Sequence, residues 1–192
     1  NLKKLSMEIL DYVYTTNVVS KQICDDILSV IKNKEWQKHT WYSNINDTKK
    51  SEETKELDVQ PTSETLQQIL NPCIIEAGRQ YNEKFALKEA KLSQFIKTFS
   101  PCRFNRYEPG TVMRKHYDHI HSIFDGQRKG IPVLSMLGIL NNDYEGGEFL
   151  VRDKQFKLKQ GDMIIFPSCF MYPHEVKEVT KGIRYSFISW AF

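Results

Sequence analysis

The sequence has no apolar run approaching the about 20 residues that a membrane-spanning helix needs, and its first residues show no basic-then-apolar signal pattern. It also has no excess of one charge, because 27 Lys and Arg stand against 24 Asp and Glu, which gives a net charge of +3. The electrostatic field from so small a net charge offers no support for a nucleic-acid partner. We therefore expect neither a membrane nor a nucleic acid as partner.

Cysteine is scarce and unpatterned. The four cysteines, Cys24, Cys73, Cys102 and Cys169, include no C-x-x-C pair. This spacing favours free thiols in a reducing compartment over a disulfide framework. We therefore expect cytoplasmic localisation. The chain begins at Asn1 rather than Met, so removal of a targeting segment stays open. The oligomeric state has no sequence signal.

The composition indicates a folded globular chain. Of 192 residues, 40% are hydrophobic and 27% are charged, which is typical of a protein with a substantial core. The length predicts a single domain over residues 1–192. Within it, residues 1–98 are predicted to be a mainly helical flank and residues 99–192 a β-barrel core.

Two amphipathic helices are predicted in the first half of the chain. Ser20 can cap a helix that begins at Lys21, and apolar residues then recur at helical spacing. A second helix is predicted from the Pro-Thr-Ser start at residues 61–63 onward through "CIIEAGRQYNEKFAL". Between the helices, residues 43–60 are polar and highly charged, which predicts an exposed, mobile loop.

Short β-rich runs dominate the second half. Segments such as "VLSMLGILN", "GEFLVRD", "DMIIFP" and "RYSFISWAF" are separated by turn signals at Pro-Gly, Asn-Asn-Asp, Gly-Gly and Gln-Gly-Asp. Many short strands at close spacing indicate a sandwich or barrel rather than a parallel sheet alternating with helices. The predicted fold is α+β, a small β-barrel or jelly roll with N-terminal helices against it.

His116 and Asp118 are a candidate metal-binding pair. They lie two residues apart, so on a strand both side chains project from the same face. His174 is the only histidine of the β-rich half outside residues 115–124, which makes it the candidate third ligand. Two imidazoles and one carboxylate suit Fe(II) and leave positions open for substrate and O2. An H-x-D pair alone is a weak signal of a metal site. The alternative interpretation is that His116 and Asp118 are polar residues on the surface.

Arg184 and Ser186 are a candidate carboxylate-binding pair. Alternation in "RYSFISW" places Arg184, Ser186, Ile188 and Trp190 on one face of a strand. A guanidinium with a hydroxyl two residues later can bind a carboxylate, and a buried arginine without an anion would be costly. An ion pair with a carboxylate of the protein is the alternative.

Three segments together resemble a known family. "FNRYEPGTVMRKHYD", "LNNDYEGGEFLV" and "GDMIIFPSCFMYPHEVKEVTKGIRYSFISW" are similar to successive strands of the 2-oxoglutarate- and Fe(II)-dependent dioxygenases. Within that superfamily they most resemble the prolyl-4-hydroxylase-like branch, which includes the PKHD-type hydroxylases. The resemblance spans about residues 99–192 and implies a double-stranded β-helix, a jelly-roll or cupin-like barrel.

The resemblance also implies cofactors and residue roles. The cofactors would be Fe(II), 2-oxoglutarate and O2, with ascorbate as reductant. It assigns the metal to His116, Asp118 and His174, and the cosubstrate to Arg184, Ser186 and Tyr107. Relatives that halogenate lack the carboxylate, so the presence of Asp118 implies hydroxylation. Gly146 and Gly147 would be structural, at a tight entry to a strand.

Other residues are placed around this site by the same resemblance. Arg103 and Asn105 share a face with Tyr107 and would line the substrate cavity, and Trp190 would form a wall of it. Ile139 replaces a tyrosine whose hydroxyl often contacts the distal carboxylate, and the residue that compensates is not identified.

The loops around the site carry further expectations. His119 and His121 are read as loop histidines that face solvent or substrate. Residues 43–60 and 121–132 are expected to be lids over a bound peptide.

Several functions fit this sequence. The leading hypothesis is hydroxylation of a prolyl residue in a peptide or protein. A hydroxylase of a free amino acid or other small molecule is an alternative. So is a nucleic-acid demethylase, although such enzymes generally carry a second arginine where this chain has Trp190. A non-catalytic cupin-like binding module would be expected to have a broken ligand set, and a zinc hydrolase would leave Arg184 and Ser186 without a role.

Overall fold

The computed structural model of the chain describes residues 8–43, 48–50, 55–85, 96–118 and 131–192. Within these ranges no helix is both long and apolar enough to cross a lipid bilayer. All four cysteines are free thiols, and Cys24, Cys73 and Cys102 are buried.

Both predicted helices are confirmed. Helix α1 spans Lys21–Ile31, and helix α2 spans Glu64–Phe85; a short 3-10 helix spans Ile9–Tyr12. The Ser20 hydroxyl accepts a hydrogen bond from the backbone N–H of Ile23 at 3.2 Å, which satisfies one of the free donors at the start of α1.

Strands form most of the remaining described chain. In chain order they are β1 Tyr14–Asn17, β2 Gln37–Lys38, β3 Trp41–Ser43, β4 Thr48–Lys50, β5 Asp58–Pro61, β6 Arg103–Tyr107, β7 Met113–His116, β8 Leu134–Ile139, β9 Tyr144–Gly146, β10 Phe149–Val151, β11 Lys154–Phe156, β12 Asp162–Pro167, β13 His174–Val176, β14 Val179–Gly182 and β15 Arg184–Ala191. The β-rich runs predicted for residues 99–192 therefore correspond to real strands.

Two antiparallel sheets form the core of the fold. The major sheet has the strand order β1-β12-β8-β15-β6-β5-β2, and the minor sheet has the order β11-β10-β13-β7. Strands from distant parts of the chain alternate between the two sheets, which is the double-stranded β-helix that the sequence predicted. Two further antiparallel pairs, β9 with β14 and β3 with β4, lie outside these sheets.

The two faces of the major sheet have different partners. Its outer face, with Phe104, Met136 and Phe187, packs in one apolar cluster with the buried stripes of α1 and α2. Its inner face, with Leu137 and Ile139, packs in a second cluster with residues of the minor sheet. The helices therefore close one side of the major sheet, while its inner face lines the interior between the two sheets.

Replacing Gly138 with alanine is expected to destabilise the fold through this outer cluster. A Cβ at Gly138 would lie 2.2 Å from ring atoms of Phe187, which is fully buried and has little freedom to move. We expect a loss of roughly 1–3 kcal/mol in the free energy of unfolding, measured by urea denaturation. Gly78→Ala in α2 is the matched control, because its Cβ would meet nothing closer than 3.5 Å. Equal midpoints for the two variants would contradict the prediction.

The prediction of an exposed loop over residues 43–60 is wrong in two places. Strand β4 lies within the segment and pairs with β3, and the C-terminal end belongs to the major sheet. Residues 58–61 form β5, which pairs with β6 in the major sheet, and Glu56 and Asp58 are buried. Asp58 accepts a hydrogen bond from Arg106 at 2.7 Å. The negative charge of Asp58, from which solvent exposure was predicted, is therefore paired inside the fold. Residues 44–47 and 51–54 lie outside the described residues.

The N-terminal segment is also less purely helical than predicted. Strand β1 pairs with β12 at one edge of the major sheet, and β5 pairs with β6 toward the other. These strands are short and contact partners far along the chain. Because strand preference depends on such neighbours more than on local sequence, the two helices gave a clearer signal than the strands did.

Candidate active site

The three predicted metal ligands come together where the minor sheet meets the end of the major sheet. His116 ends β7 and is the direct cross-strand partner of His174, which begins β13. The Nε2 atoms of His116 and His174 each lie 3.7 Å from an oxygen of Asp118. One ligand atom from each side chain lies within 4.8 Å of the others, so the group can hold a metal ion.

Backbone carbonyls orient both imidazoles. Nδ1 of His116 lies 2.7 Å from the carbonyl oxygen of Arg114, and Nδ1 of His174 lies 3.2 Å from that of Tyr172. A proton on Nδ1 donated to each carbonyl leaves the Nε2 lone pair free, and such outer hydrogen bonds are typical of metal-binding histidines. The donor set of two Nε2 atoms and one carboxylate thus fits Fe(II).

The protonation states also suit metal binding. Burial and the neighbouring imidazole of His174 lower the pKa of His116 to about 4, so its ring is neutral at pH 7. Burial raises the pKa of Asp118, but the two imidazoles and two hydrogen bonds outweigh that effect and bring the pKa below its ordinary value. Asp118 is therefore a carboxylate at neutral pH.

Two hydrogen-bond donors hold Asp118 by the same carboxylate oxygen. Oδ2 accepts a hydrogen bond from the Ser135 hydroxyl at 2.5 Å and one from the Trp190 indole N–H at 2.8 Å. Ser168 lies behind Ser135, with their hydroxyl oxygens 2.8 Å apart. The contacts fix the carboxylate plane and leave Oδ1 on the side of His116. Trp190 was predicted to form a wall of the substrate cavity; its indole N–H bonds this carboxylate.

Trp190→Phe is expected to weaken metal binding while keeping the ring. The variant removes only the N–H that orients Asp118, and loss of such an outer partner costs about 10–100-fold in metal affinity. Co(II) titration followed by absorption measures the effect. Trp36→Phe is the matched control, because the Trp36 indole N–H has no hydrogen-bond partner in the described part of the chain. Unchanged Co(II) affinity in Trp190→Phe would contradict the prediction.

Arg184 lies at the opposite end of the inner face, at the start of β15. It is among the most buried side chains of the protein, with 1% of its surface exposed. Its Nη1 donates to the Ser186 hydroxyl at 3.1 Å, and its guanidinium carbon lies 4.9 Å from the ring centre of Tyr107. Nε has no hydrogen-bond partner, and no carboxylate forms an ion pair with Arg184 among the described residues.

The surroundings of Arg184 leave room for an anion. A cavity of about 210 Å³ is lined by Arg184 together with Tyr144, Gly147 and Phe149. Gly147 has a φ of +66°, and a Cβ there would lie 2.9 Å from Cδ of Arg184, which supports its predicted structural role. Burial raises the pKa of Tyr107, so its hydroxyl stays protonated and can donate.

Arg103 and Asn105, which were predicted to line the substrate cavity, lie on the inner face of β6 together with Tyr107, which was predicted to bind the cosubstrate. Tyr107, Asn105 and Arg103 are the cross-strand partners of Arg184, Ser186 and Ile188 on β15. Ile139, which stands where a tyrosine was expected, is buried beside Ser186. His119, His121 and residues 122–130 fall outside the described residues.

The sequence prediction missed several residues near the site. Ser135, with Ser168 behind it, bonds Asp118, and alternation along β8 from Leu137 and Ile139 would have placed Ser135 on the inner face. Tyr144 lies with its ring centre 5.9 Å from the Arg184 guanidinium carbon, next to the Gly-Gly turn. His39 is buried, and burial together with the charges of Arg103, His116 and Arg114 lowers its pKa to about 3. No local motif marks His39.

The sequence of the β-rich half matches that of a known family. A family profile described as the 2OG-Fe(II) oxygenase superfamily matches residues 102–192, the segment that contains the metal-binding group and Arg184. This half of the chain carries the sequence pattern of the 2OG-Fe(II) oxygenase superfamily. Curated relatives of this family include PKHD-type hydroxylases from Nitrobacter winogradskyi, 33% identical over 59% of this chain, and Delftia acidovorans, 36% identical over 47%. The matched regions cover 54% and 42% of those proteins, so the chain spans about half the length of these relatives.

Solved structures of prolyl hydroxylases share the fold. A viral collagen prolyl hydroxylase from Paramecium Bursaria Chlorella virus-1 superposes with a TM-score of 0.65 and 17% identity, over 96% of this chain and 98% of that one. A Trichoplax adhaerens prolyl hydroxylase, in complex with a hypoxia inducible factor peptide fragment, superposes with a TM-score of 0.68 and 16% identity, over 95% and 85%. At such identities the superposition supports the double-stranded β-helix and nothing finer.

Proposed function

We propose that this chain is an Fe(II)- and 2-oxoglutarate-dependent oxygenase that hydroxylates a C–H bond, with a prolyl residue of a peptide or protein as the leading substrate. The observation that carries the proposal is the pairing of two sites on one inner face. The metal-binding group lies at one end, and a buried arginine without a carboxylate partner among the described residues lies at the other. A dicarboxylate that chelates a metal through one end needs this arrangement.

His116, Asp118 and His174 would hold the metal through two neutral Nε2 atoms and one carboxylate oxygen. Fe(II), when bound with 2-oxoglutarate, supplies O2 activation, in which 2-oxoglutarate becomes succinate and CO2 and one oxygen atom enters the substrate C–H bond. Asp118 keeps a fixed orientation through Ser135 and Trp190. It occupies a ligand position that would otherwise be open to another anion.

Arg184 would bind the distal carboxylate of the cosubstrate. Its free Nε and fork geometry suit a carboxylate, and such an anion offsets the cost of a buried charge. Ser186 and the protonated hydroxyl of Tyr107 add donors on the same face. Tyr144, whose ring centre lies 5.9 Å from the guanidinium carbon, is our candidate for the role of the tyrosine that Ile139 replaces.

Apolar side chains between the two sites keep water out. Leu137, Ile139, Ile164 and Phe166 are buried on the inner face. Exclusion of water strengthens the arginine–carboxylate interaction, because opposite charges attract more strongly in a medium of low dielectric constant. It also protects reactive species from side reactions.

A peptide substrate is supported by the relatives. The Trichoplax adhaerens structure contains a bound peptide fragment, and the fold of this chain follows that structure over most of its length. We further propose that residues 1–192 work as one catalytic unit. The pairing of β1 with β12 and of β5 with β6 supports this proposal, because the N-terminal segment supplies strands to the barrel.

The test is succinate formation from 2-oxoglutarate under air, with Fe(II) and ascorbate. The assay compares no substrate, a panel of proline-containing peptides, free proline and a methylated oligonucleotide. Peptide-stimulated turnover with mass gain of one oxygen is the expected result. Stimulation by the oligonucleotide alone would overturn the substrate class, and no turnover together with no metal binding would overturn the oxygenase itself.

A further inference from the structure

Arg103 is a second arginine on the inner face, close to the metal-binding group. It begins β6 opposite Ile188 of β15, and it shares the inner face with Asn105 and Tyr107. Its guanidinium carbon lies 5.5 Å from the ring centre of Trp190, whose N–H bonds Asp118. A single stacked ring thus separates this cation from the metal-binding carboxylate.

The orientation of Arg103 is fixed at one side only. Nε donates to Oδ1 of Asn105 at 3.2 Å, and stacking on an aromatic face restrains the guanidinium plane. Neither Nη has a hydrogen-bond acceptor among the residues that the structure describes. The two Nη groups therefore present a free edge with parallel N–H donors, the edge that binds a carboxylate through two hydrogen bonds.

The charge of Arg103 lacks a partner that its neighbours have. Arg106 pairs with Asp58 at 2.7 Å, and Arg114 pairs with Glu56 at 3.2 Å. Arg103 makes no ion pair with any described residue. The Asp118 carboxylate and Tyr107 act on it without direct contact, and burial outweighs them and lowers the pKa of Arg103. Arg184, at the far end of the same face, is in the same situation. A partly buried guanidinium without an anion is costly, and a bound anion would remove that cost.

We propose that Arg103 is a carboxylate-binding residue at the metal end of the site. This inference rests on the proposed function and adds a second anion position to it. The carboxylate has two candidate sources. One is the 1-carboxylate of 2-oxoglutarate, which would lie near the metal-binding group if Arg184 bound the other end, and the other is a carboxylate of the substrate beside the residue to be hydroxylated. In the second case the substrate is an acidic peptide.

The first arm of the test measures 2-oxoglutarate binding to Co(II)-loaded protein by calorimetry, for wild type and Arg103→Gln. Loss of a hydrogen-bonded charge pair is expected to weaken binding about tenfold or more if the cosubstrate is the source. Arg106→Gln is the matched control, because Arg106 lies on the same strand and also stacks on a tryptophan, Trp36, but on the outer face. It should bind 2-oxoglutarate like wild type.

The second arm compares two labelled peptides that differ only after the proline, one with Pro-Glu and one with Pro-Gln, by anisotropy on protein loaded with Co(II) and 2-oxoglutarate. If the substrate is the source, wild type prefers the Glu peptide about tenfold or more, and Arg103→Gln removes the preference. The inference is overturned if Arg103→Gln binds 2-oxoglutarate with wild-type affinity and the wild-type protein either shows no preference for the Glu peptide or binds neither peptide. Failure of wild type to bind Co(II) or 2-oxoglutarate instead overturns the proposed function.

Discussion

Asp118→Ala will abolish metal binding and turnover. Asp118 is the single carboxylate of the metal-binding group, and its removal leaves two imidazoles with no anionic donor. Loss of an outer partner of a ligand already costs about 10–100-fold in affinity, so loss of the ligand itself is expected to cost more than about 100-fold. It also leaves the Ser135 hydroxyl and the Trp190 N–H without their acceptor.

Two measurements check this prediction. Co(II) titration reports metal affinity, and succinate formation reports turnover; circular dichroism shows whether the variant is folded. Asp153→Ala is the matched control, because Asp153 is an exposed aspartate that pairs only with Lys115 among the described residues. His174→Ala should behave like Asp118→Ala. A folded Asp118→Ala that binds Co(II) as tightly as wild type would remove Asp118 from the ligand set.

Arg184→Gln will lose 2-oxoglutarate binding while it keeps the metal. A hydrogen bond to a charged group contributes about 1.5–3 kcal/mol, and about 1.4 kcal/mol corresponds to a tenfold change. Loss of a forked contact in a water-free interior therefore predicts an affinity about 100-fold lower. The metal-binding group is at the other end of the inner face, so Co(II) affinity should stay at the wild-type value.

Calorimetric titration of 2-oxoglutarate into Co(II)-loaded protein measures the effect. Arg184→Lys keeps the charge without the planar fork and should recover only part of the affinity. Ser186→Ala should cost less than Arg184→Gln, because it removes a neutral donor beside the guanidinium. Wild-type affinity for 2-oxoglutarate in Arg184→Gln would show that the buried arginine serves another anion or none.

The candidate site could be predicted from the sequence to the extent that local spacing defines it. His116 and Asp118 were expected on one strand; β7 ends at His116 and Asp118 follows it, yet the two side chains lie side by side, with Nε2 of His116 3.7 Å from Oδ1 of Asp118. Arg184 and Ser186 are likewise brought together by strand alternation. The metal and cosubstrate roles of these residues remain predictions that the variants above test.

The surroundings of the site were less predictable because they depend on long-range pairing. Ser135 and Trp190 reach Asp118 only because β8 and β15 are neighbours in the major sheet, with Ser135 directly opposite Trp190. Nothing in the local sequence of a serine in "VLSMLG" marks it as a partner of a carboxylate. The buried Glu56 and Asp58 were read as exposed for the same reason, since their cationic partners lie far along the chain.

The sequence by itself determined the two helices, the β-rich half, the H-x-D pair and the Arg-x-Ser pair, because each depends on contacts or periodicities within a few residues. Only the tertiary structure decided that His174 faces His116 and that Asp118 is bonded by Ser135 and Trp190. It also decided that Arg103 and Arg184 lack carboxylate partners among the described residues. These features arise when distant strands pair, and the free energy of that pairing comes from burial and from neighbours that no local window contains.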